Sequence, residues 1–210
     1  MHSEAYLDAA AIAVDLLADP AVADRWPEPS ALAELSVGGL AGHLGRQVHM
    51  MVEILSAPHA DQPPRDLMAH YGESPWLGKD IDTPANVGIR AQSDAFAAAG
   101  HPDMVETLRT DLVALRGTLP AVPADTSVLL PWTGWALTLD DLLLTRMMEL
   151  TVHSDDLAVS VGVPTPEFPP AVLRPVLGLL TDLAVARHGQ VAIVRALSRR
   201  ERAPETISAL

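Results

Sequence analysis

Glu149 and His153 stand four residues apart in RMMELTVHSDDLA, residues 146–158, within a stretch made largely of leucine, methionine and other apolar residues. A carboxylate and an imidazole at that spacing share one face of a helix. Advancing by about 100° per residue from Arg146 puts His153 near −20°, Glu149 near −60° and Asp156 near −80°. Leu142, Leu150 and Leu157 fall on or beside the same arc, so the polar stripe points into the protein. Burying such groups is costly unless they are paired or hold a metal. Two arrangements meet that condition: an internal network of Arg146 with Glu149 and His153 with Asp156, or a metal site. This helix alone does not choose between them.

A second segment, LSVGGLAGHLGRQVH (residues 35–49), carries another histidine of interest. With His43 at zero, Leu40, Gln47, Met50 and Ile54 fall between about −20° and 60°, so His43 faces the core. His49 falls near −120°, on the side of Arg46 and Glu53, which reads as a solvent face. His43 is then either a core histidine satisfied by a neighbour such as Gln47 or a third donor. His43, Glu149 and His153 form a His2Glu set. Catalytic zinc sites commonly use three protein ligands and keep a position open. Nickel, manganese and iron accept the same donors.

The elements that must position these residues are helical. The chain has 210 residues, 49% hydrophobic but only 4% aromatic, so its core is aliphatic and rich in the helix formers Ala and Leu. Helices are predicted from about Ser3, a possible cap, to Leu17, from Ser36 to Leu55, and from Ala85 to Leu119 with a break at Gly100 and Pro102. Two more are expected, after Thr138 to about Val161 and from about Ala171 to His188. The stretch PAVPADTSVLLPWTGWALT reads as a connector. GQVAIVRAL is too short for periodicity to assign to strand or helix. The region from Pro58 to Pro84 is long and irregular, and segments of this kind often wall a site. Four main helices with long connections make an all-α four-helix bundle over residues 1–165, with a helical extension over 166–210 packed on it. The second helix contains Gly38, Gly39, Gly42 and Gly45, each unfavourable by up to about 1 kcal/mol relative to Ala. Close helix packing or approach of a ligand to the backbone would account for them.

Composition narrows the function. The net charge of −13 argues against nucleic-acid binding, which needs clustered Lys and Arg. Lys79 is the only lysine. There is no cysteine, which excludes disulfides, thiolate metal sites and a protein thiol nucleophile, so thiol chemistry would need an external thiol. No apolar run approaches the length of a membrane span, and MHSEAYLDAA lacks the pattern of a secretory signal; a cytoplasmic location is expected.

These two segments resemble the DinB-like superfamily, in its mycothiol-dependent maleylpyruvate isomerase branch. The second helix, with His43 followed by Leu44, is similar to the helix that supplies the first metal ligand. PWTGWALTLDDLLLTRMMELTVHSDDLA is similar to the segment patterned R-x-x-E-x-x-x-H-x-x-D-L. The resemblance implies a DinB-like four-helix bundle in which His43, Glu149 and His153 bind a divalent metal, zinc foremost. It also implies mycothiol, the small thiol of actinobacteria, as cofactor. The metal would lower the pKa of a bound thiol or water, for isomerisation or thiol transfer on a small anionic substrate. Arg90 or Arg146 would hold the substrate's anionic group, and Asp156 would orient a metal ligand. A homodimer is in keeping with the superfamily. The other readings are a metal-binding bundle with different hydrolase or transferase chemistry, and a non-catalytic bundle whose polar stripe serves stability or dimerisation.

Overall fold

The computed structural model describes residues 1–57, 60–75 and 82–210. Part of the irregular stretch expected to wall a site, residues 58, 59 and 76–81, lies outside the described residues. The elements run α1 (Ser3–Leu17), α2 (Pro20–Asp24), α3 (Val37–Ser56), α4 (Leu67–Gly72), α5 (Pro84–Ala97), α6 (His101–Thr118), β1 (Ser127–Leu130), β2 (Trp135–Thr138), α7 (Leu139–Val161), α8 (Pro170–His188) and α9 (Gln190–Ser198). The fold is all-α, a DinB-like four-helix bundle built by α1, α3, the α5–α6 pair and α7, with a short C-terminal extension.

Local chemistry sets the helix ends. Ser36 caps α3, its Oγ accepting from the Gly39 amide at 3.0 Å. Thr138 caps α7 in the same way through the Asp141 amide at 3.0 Å, and Asp140 and Asp141 suit the positive end of the helix dipole. Gly162, in the left-handed conformation, closes α7. Ser3 does not cap α1: it is the first helical residue, and His2 at the cap position donates its amide to Asp140 at 2.6 Å instead. The long third helix is two helices. Gly100 at φ +85° turns the chain between them, and Pro102 sits in the first turn of α6, where its missing N–H costs nothing.

The core joins Tyr6 and Leu17 of α1, Leu40, Leu44 and Met51 of α3, Leu108 and Leu115 of α6 and the inward leucines of α7. Val172, Val176, Leu179 and Leu183 of α8 belong to the same core. The undecided segment after Gly189 is helix α9, which buries Ile193.

The predicted connector holds an antiparallel hairpin. Ser127 pairs with Thr138 and Leu130 with Trp135, and Gly134 at φ +79° completes the turn. Residues 60–65 lie along it: the Ala60 amide donates to the Ser127 carbonyl at 3.0 Å, and the Arg65 amide to that of Ala136 at 2.8 Å. The hairpin feeds directly into α7, because Thr138 both ends β2 and caps the helix.

Helix packing explains the glycines of α3. A Cβ on Gly42 would lie 2.2 Å from the Ser93 carbonyl oxygen of α5. Only a residue without a side chain lets α5 approach α3 this closely, and that approach brings the Ser93 hydroxyl to His43.

Candidate metal centre

Three side chains from two helices meet within the bundle. His43 comes from α3, Glu149 and His153 from successive turns of α7, and one donor atom of each lies within 4.8 Å of the others. His43 Nε2 is 3.3 Å from Glu149 Oε2, and His153 Nε2 is 3.2 Å from the same oxygen. The three side chains are 16–19% exposed, enough for a small ligand to reach them.

The neighbours of the two rings orient them. Ser93 Oγ donates its one proton to the Ile89 carbonyl at 2.8 Å. At 3.3 Å from His43 Nδ1 it can therefore only accept, which places the imidazole proton on Nδ1 and a lone pair on Nε2. Asp156 Oδ2 lies 2.9 Å from His153 Nδ1 and fixes that ring in the same sense. Both Nε2 atoms thus turn toward a carboxylate oxygen. Acceptors facing one another repel unless a cation stands among them, and the donor set fits a divalent metal with each ligating histidine braced from behind.

A proton on His153 Nε2 is the other way to satisfy this geometry. Burial opposes it, but the hydrogen bonds and charges of Asp156 and Glu149 prevail and raise the His153 pKa to about 9. Burial lowers the pKa of His43, with Glu149 pulling the other way. Glu149 stays ionised. Burial would raise its pKa, yet the hydrogen bond from His153, helped by the Arg146 charge, holds it well below the usual carboxylate range. A metal entering the site displaces the His153 proton, so binding is coupled to proton release.

Arg146 does not pair with Glu149, although the i, i+3 spacing allows it. It is buried, with Nη1 donating to Gln47 Oε1 and Nε donating to Thr145 Oγ1 at 3.1 Å. Nη1 also lies 3.6 Å from the Met50 sulfur, and the guanidinium carbon sits 5.8 Å from the Trp132 ring centre. Among the described residues no carboxylate is within ion-pairing distance of it. Gln47 is itself held, its Nε2 donating to the His43 carbonyl at 2.9 Å. It therefore bonds the backbone of His43 and not the ring, as the core-histidine reading would have it. Arg90 of α5 reaches Asp82 at 3.7 Å.

His49 lies on a partly exposed face, its side chain 33% exposed and packed against α6. Its Nδ1 lies 2.7 Å from Asp111 of α6 and its ring stacks on Phe96 at 4.9 Å. Arg46 and Glu53, projected to the same side, line a cavity of about 720 Å³ together with Met50, Gln92 and Trp132. Helical projection locates a face but not what covers it. Here α6 partly covers His49 and the hairpin walls the cavity. Ser93 went unnoticed because its place depends on how α5 sits against α3, which no local pattern records.

The model of the mycothiol maleylpyruvate isomerase N-terminal domain family matches residues 7–158, a span that contains the triad, Asp156 and both arginines. No curated protein and no solved structure gives a significant match to the chain.

Proposed function

We infer the function from the premise that this chain belongs to the mycothiol maleylpyruvate isomerase N-terminal domain family. It is a metal-dependent enzyme that activates a small thiol, mycothiol, for isomerisation or transfer on a small anionic substrate. The observation that carries this reading is the convergence of His43 Nε2 and His153 Nε2 on one oxygen of Glu149, with both Nδ1 protons already engaged.

His43, Glu149 and His153 hold the metal. Ser93 and Asp156 keep the imidazoles in the ligating tautomer and orientation. A divalent ion such as zinc, held there, supplies Lewis acidity that lowers the pKa of a bound thiol or water. The chain has no cysteine, so the thiol is external. The thiol supplies a nucleophile that can add to and leave an activated double bond, which allows cis-to-trans isomerisation, or displace a leaving group.

Arg146 orients the anionic substrate. Its fork suits a carboxylate, and no protein carboxylate competes for it among the described residues. Arg90 is a second anion contact reached from α5, released from Asp82 when substrate arrives. Residues 166–210 form an extension that braces α1 and α7 from outside the site.

Metal analysis of the purified protein, followed by a thiol panel, tests the reading. One equivalent of divalent metal is expected, lost in His153→Ala, with mycothiol active where glutathione, bacillithiol and water are not. Protein without metal sinks the enzyme reading. Metal with equal activity toward every thiol, or with water alone, moves the chain to another hydrolase or transferase chemistry.

A further inference from the structure

The cavity between α3 and the hairpin carries an arginine that the reading above leaves without a role. Arg46 lies one helical turn after His43 on α3, half-buried in the cavity wall. Among the described residues it forms no ion pair, in a chain with 27 acidic and 14 basic residues, where a carboxylate partner is easily found. Burial lowers its pKa, opposed by the charge of Glu53. Glu53 and Asp61, the carboxylates of the lining, are both exposed to solvent, so water screens their charges. A half-buried guanidinium without a fixed counter-charge is poised for an anion brought by a ligand. Gln92 of α5 adds an amide to the same wall.

Most of the remaining lining is apolar. Met50 and Ile54 of α3 face Leu129 and Trp132 of the hairpin segment across the space. Met50 and Trp132 are also the residues that touch Arg146, so the cavity wall and the triad's neighbour are continuous. At about 720 Å³ the space falls in the range of about 300–1,000 Å³ usual for ligands of drug size. A four-carbon dicarboxylate would leave most of it empty.

We propose that Arg46 is a specificity-determining residue that anchors a carboxylate whose aryl or alkyl body lies on the Met50, Leu129 and Trp132 wall, with its reacting end toward Arg146 and the triad. This rests on the reading of the substrate as an anion held by Arg146 and extends it: the substrate carries a further carboxylate, at Arg46, separated from the Arg146 end by an apolar body, and is not a compact dicarboxylate.

Isothermal titration with 3-phenylpropionate, 3-phenylpropionamide and maleate tests it, on protein as purified and after chelation. Phenylpropionate should bind at least about tenfold more tightly than the amide or maleate in both preparations. Arg46→Gln should weaken phenylpropionate binding about tenfold and leave metal content unchanged. Leu129→Trp, on the partly exposed rim of the hairpin, should fill the cavity and abolish binding without touching the charge; it also stands in for Arg46→Gln should that variant fail to fold. Absence of phenylpropionate binding, equal binding of acid and amide, tighter binding of maleate, or an unchanged Kd in Arg46→Gln overturns the assignment. Metal-loaded protein that ignores phenylpropionate overturns the role of Arg46 alone. Protein that carries no metal as purified, yet binds phenylpropionate through Arg46, overturns the metal reading alone.

Discussion

The imidazoles of His43 and His153 stand edge to face, their centres 4.6 Å apart and their planes at 84°. In that pose each directs Nε2 at the same Glu149 oxygen, and each has Nδ1 spoken for by a residue behind it, Ser93 for one and Asp156 for the other. A histidine packed only for stability needs no such agreement between rings on different helices.

Metal affinity should therefore depend in graded fashion on the residues touching these rings. His43→Ala and His153→Ala are expected to lose the metal. Asp156→Asn, which keeps size and loses charge, should weaken binding about 10- to 100-fold, the usual effect of removing a ligand's outer partner. Competition with a metallochromic chelator measures this. Unchanged affinity in Asp156→Asn would leave that carboxylate a helix-surface residue and nothing more.

Ser93 and Gly42 act on His43 together but fail differently. Ser93→Ala removes the acceptor for His43 Nδ1–H and leaves the backbone in place, so metal affinity should drop about tenfold with little change in thermal stability. Gly42→Ala drives a methyl group to 2.2 Å from a main-chain carbonyl that cannot rotate away. α3 and α5 must separate, at a cost of about 1–3 kcal/mol, the range for overpacking a close contact. Thermal melts combined with metal titration separate the two. Equal melting of Gly42→Ala and wild type would mean that the helices slide apart freely and that the close packing does not place Ser93.

Helical periodicity was enough to turn His43, Glu149 and His153 inward, because each belongs to a helix longer than three turns with leucines marking the core side. The break at Gly100 and Pro102 was equally legible, since backbone chemistry at those two residues is local. Strands of four residues carry too little alternation to be seen, so the hairpin that walls the cavity read as a connector. Without it, Arg46 looked as solvated as Glu53, which does stand in solvent on the cavity rim. The Arg146–Glu149 pair that the spacing allowed is absent for a related reason. Gln47, on another helix, offers the guanidinium a partner that spacing along α7 cannot reveal.

His70 gives the fold an acid-sensitive point outside the triad itself, within reach of the Glu149 charge. Trp135 Nε1–H donates to His70 Nδ1 at 3.0 Å, which keeps that nitrogen unprotonated. Burial, with the charges of Arg146 and Arg65, lowers the pKa from 6.5 to about 4. Above pH 6.5 the ring is neutral in both the folded and unfolded chains, and its contribution is fully present. Between 6.5 and about 4 the unfolded chain takes up a proton that the folded one refuses, so stability declines as the pH falls. The full loss is at most about 3 kcal/mol. Urea midpoints across this window should fall less steeply in His70→Gln than in wild type. Parallel slopes would show that His70 does not titrate in the folded protein as described.

Arg146 tests whether its charge or its shape serves the reaction. The guanidinium divides its donors between Gln47 and Thr145 and lies beside Trp132, an arrangement a lysine cannot copy because it has neither the fork nor the flat face. Arg146→Lys keeps the positive charge that helps hold Glu149 ionised, so the metal should stay. If Arg146 positions an anionic substrate through its fork, kcat/KM should fall about 10- to 100-fold, a loss of about 1.4–2.7 kcal/mol of transition-state stabilisation. Gln47→Leu removes one partner of the guanidinium without touching its charge and should give a smaller loss in the same direction. Loss of metal from Arg146→Lys would make the arginine a support for Glu149. Full activity in Arg146→Lys would reduce its part to charge alone, with the geometry around Gln47 and Trp132 left to packing.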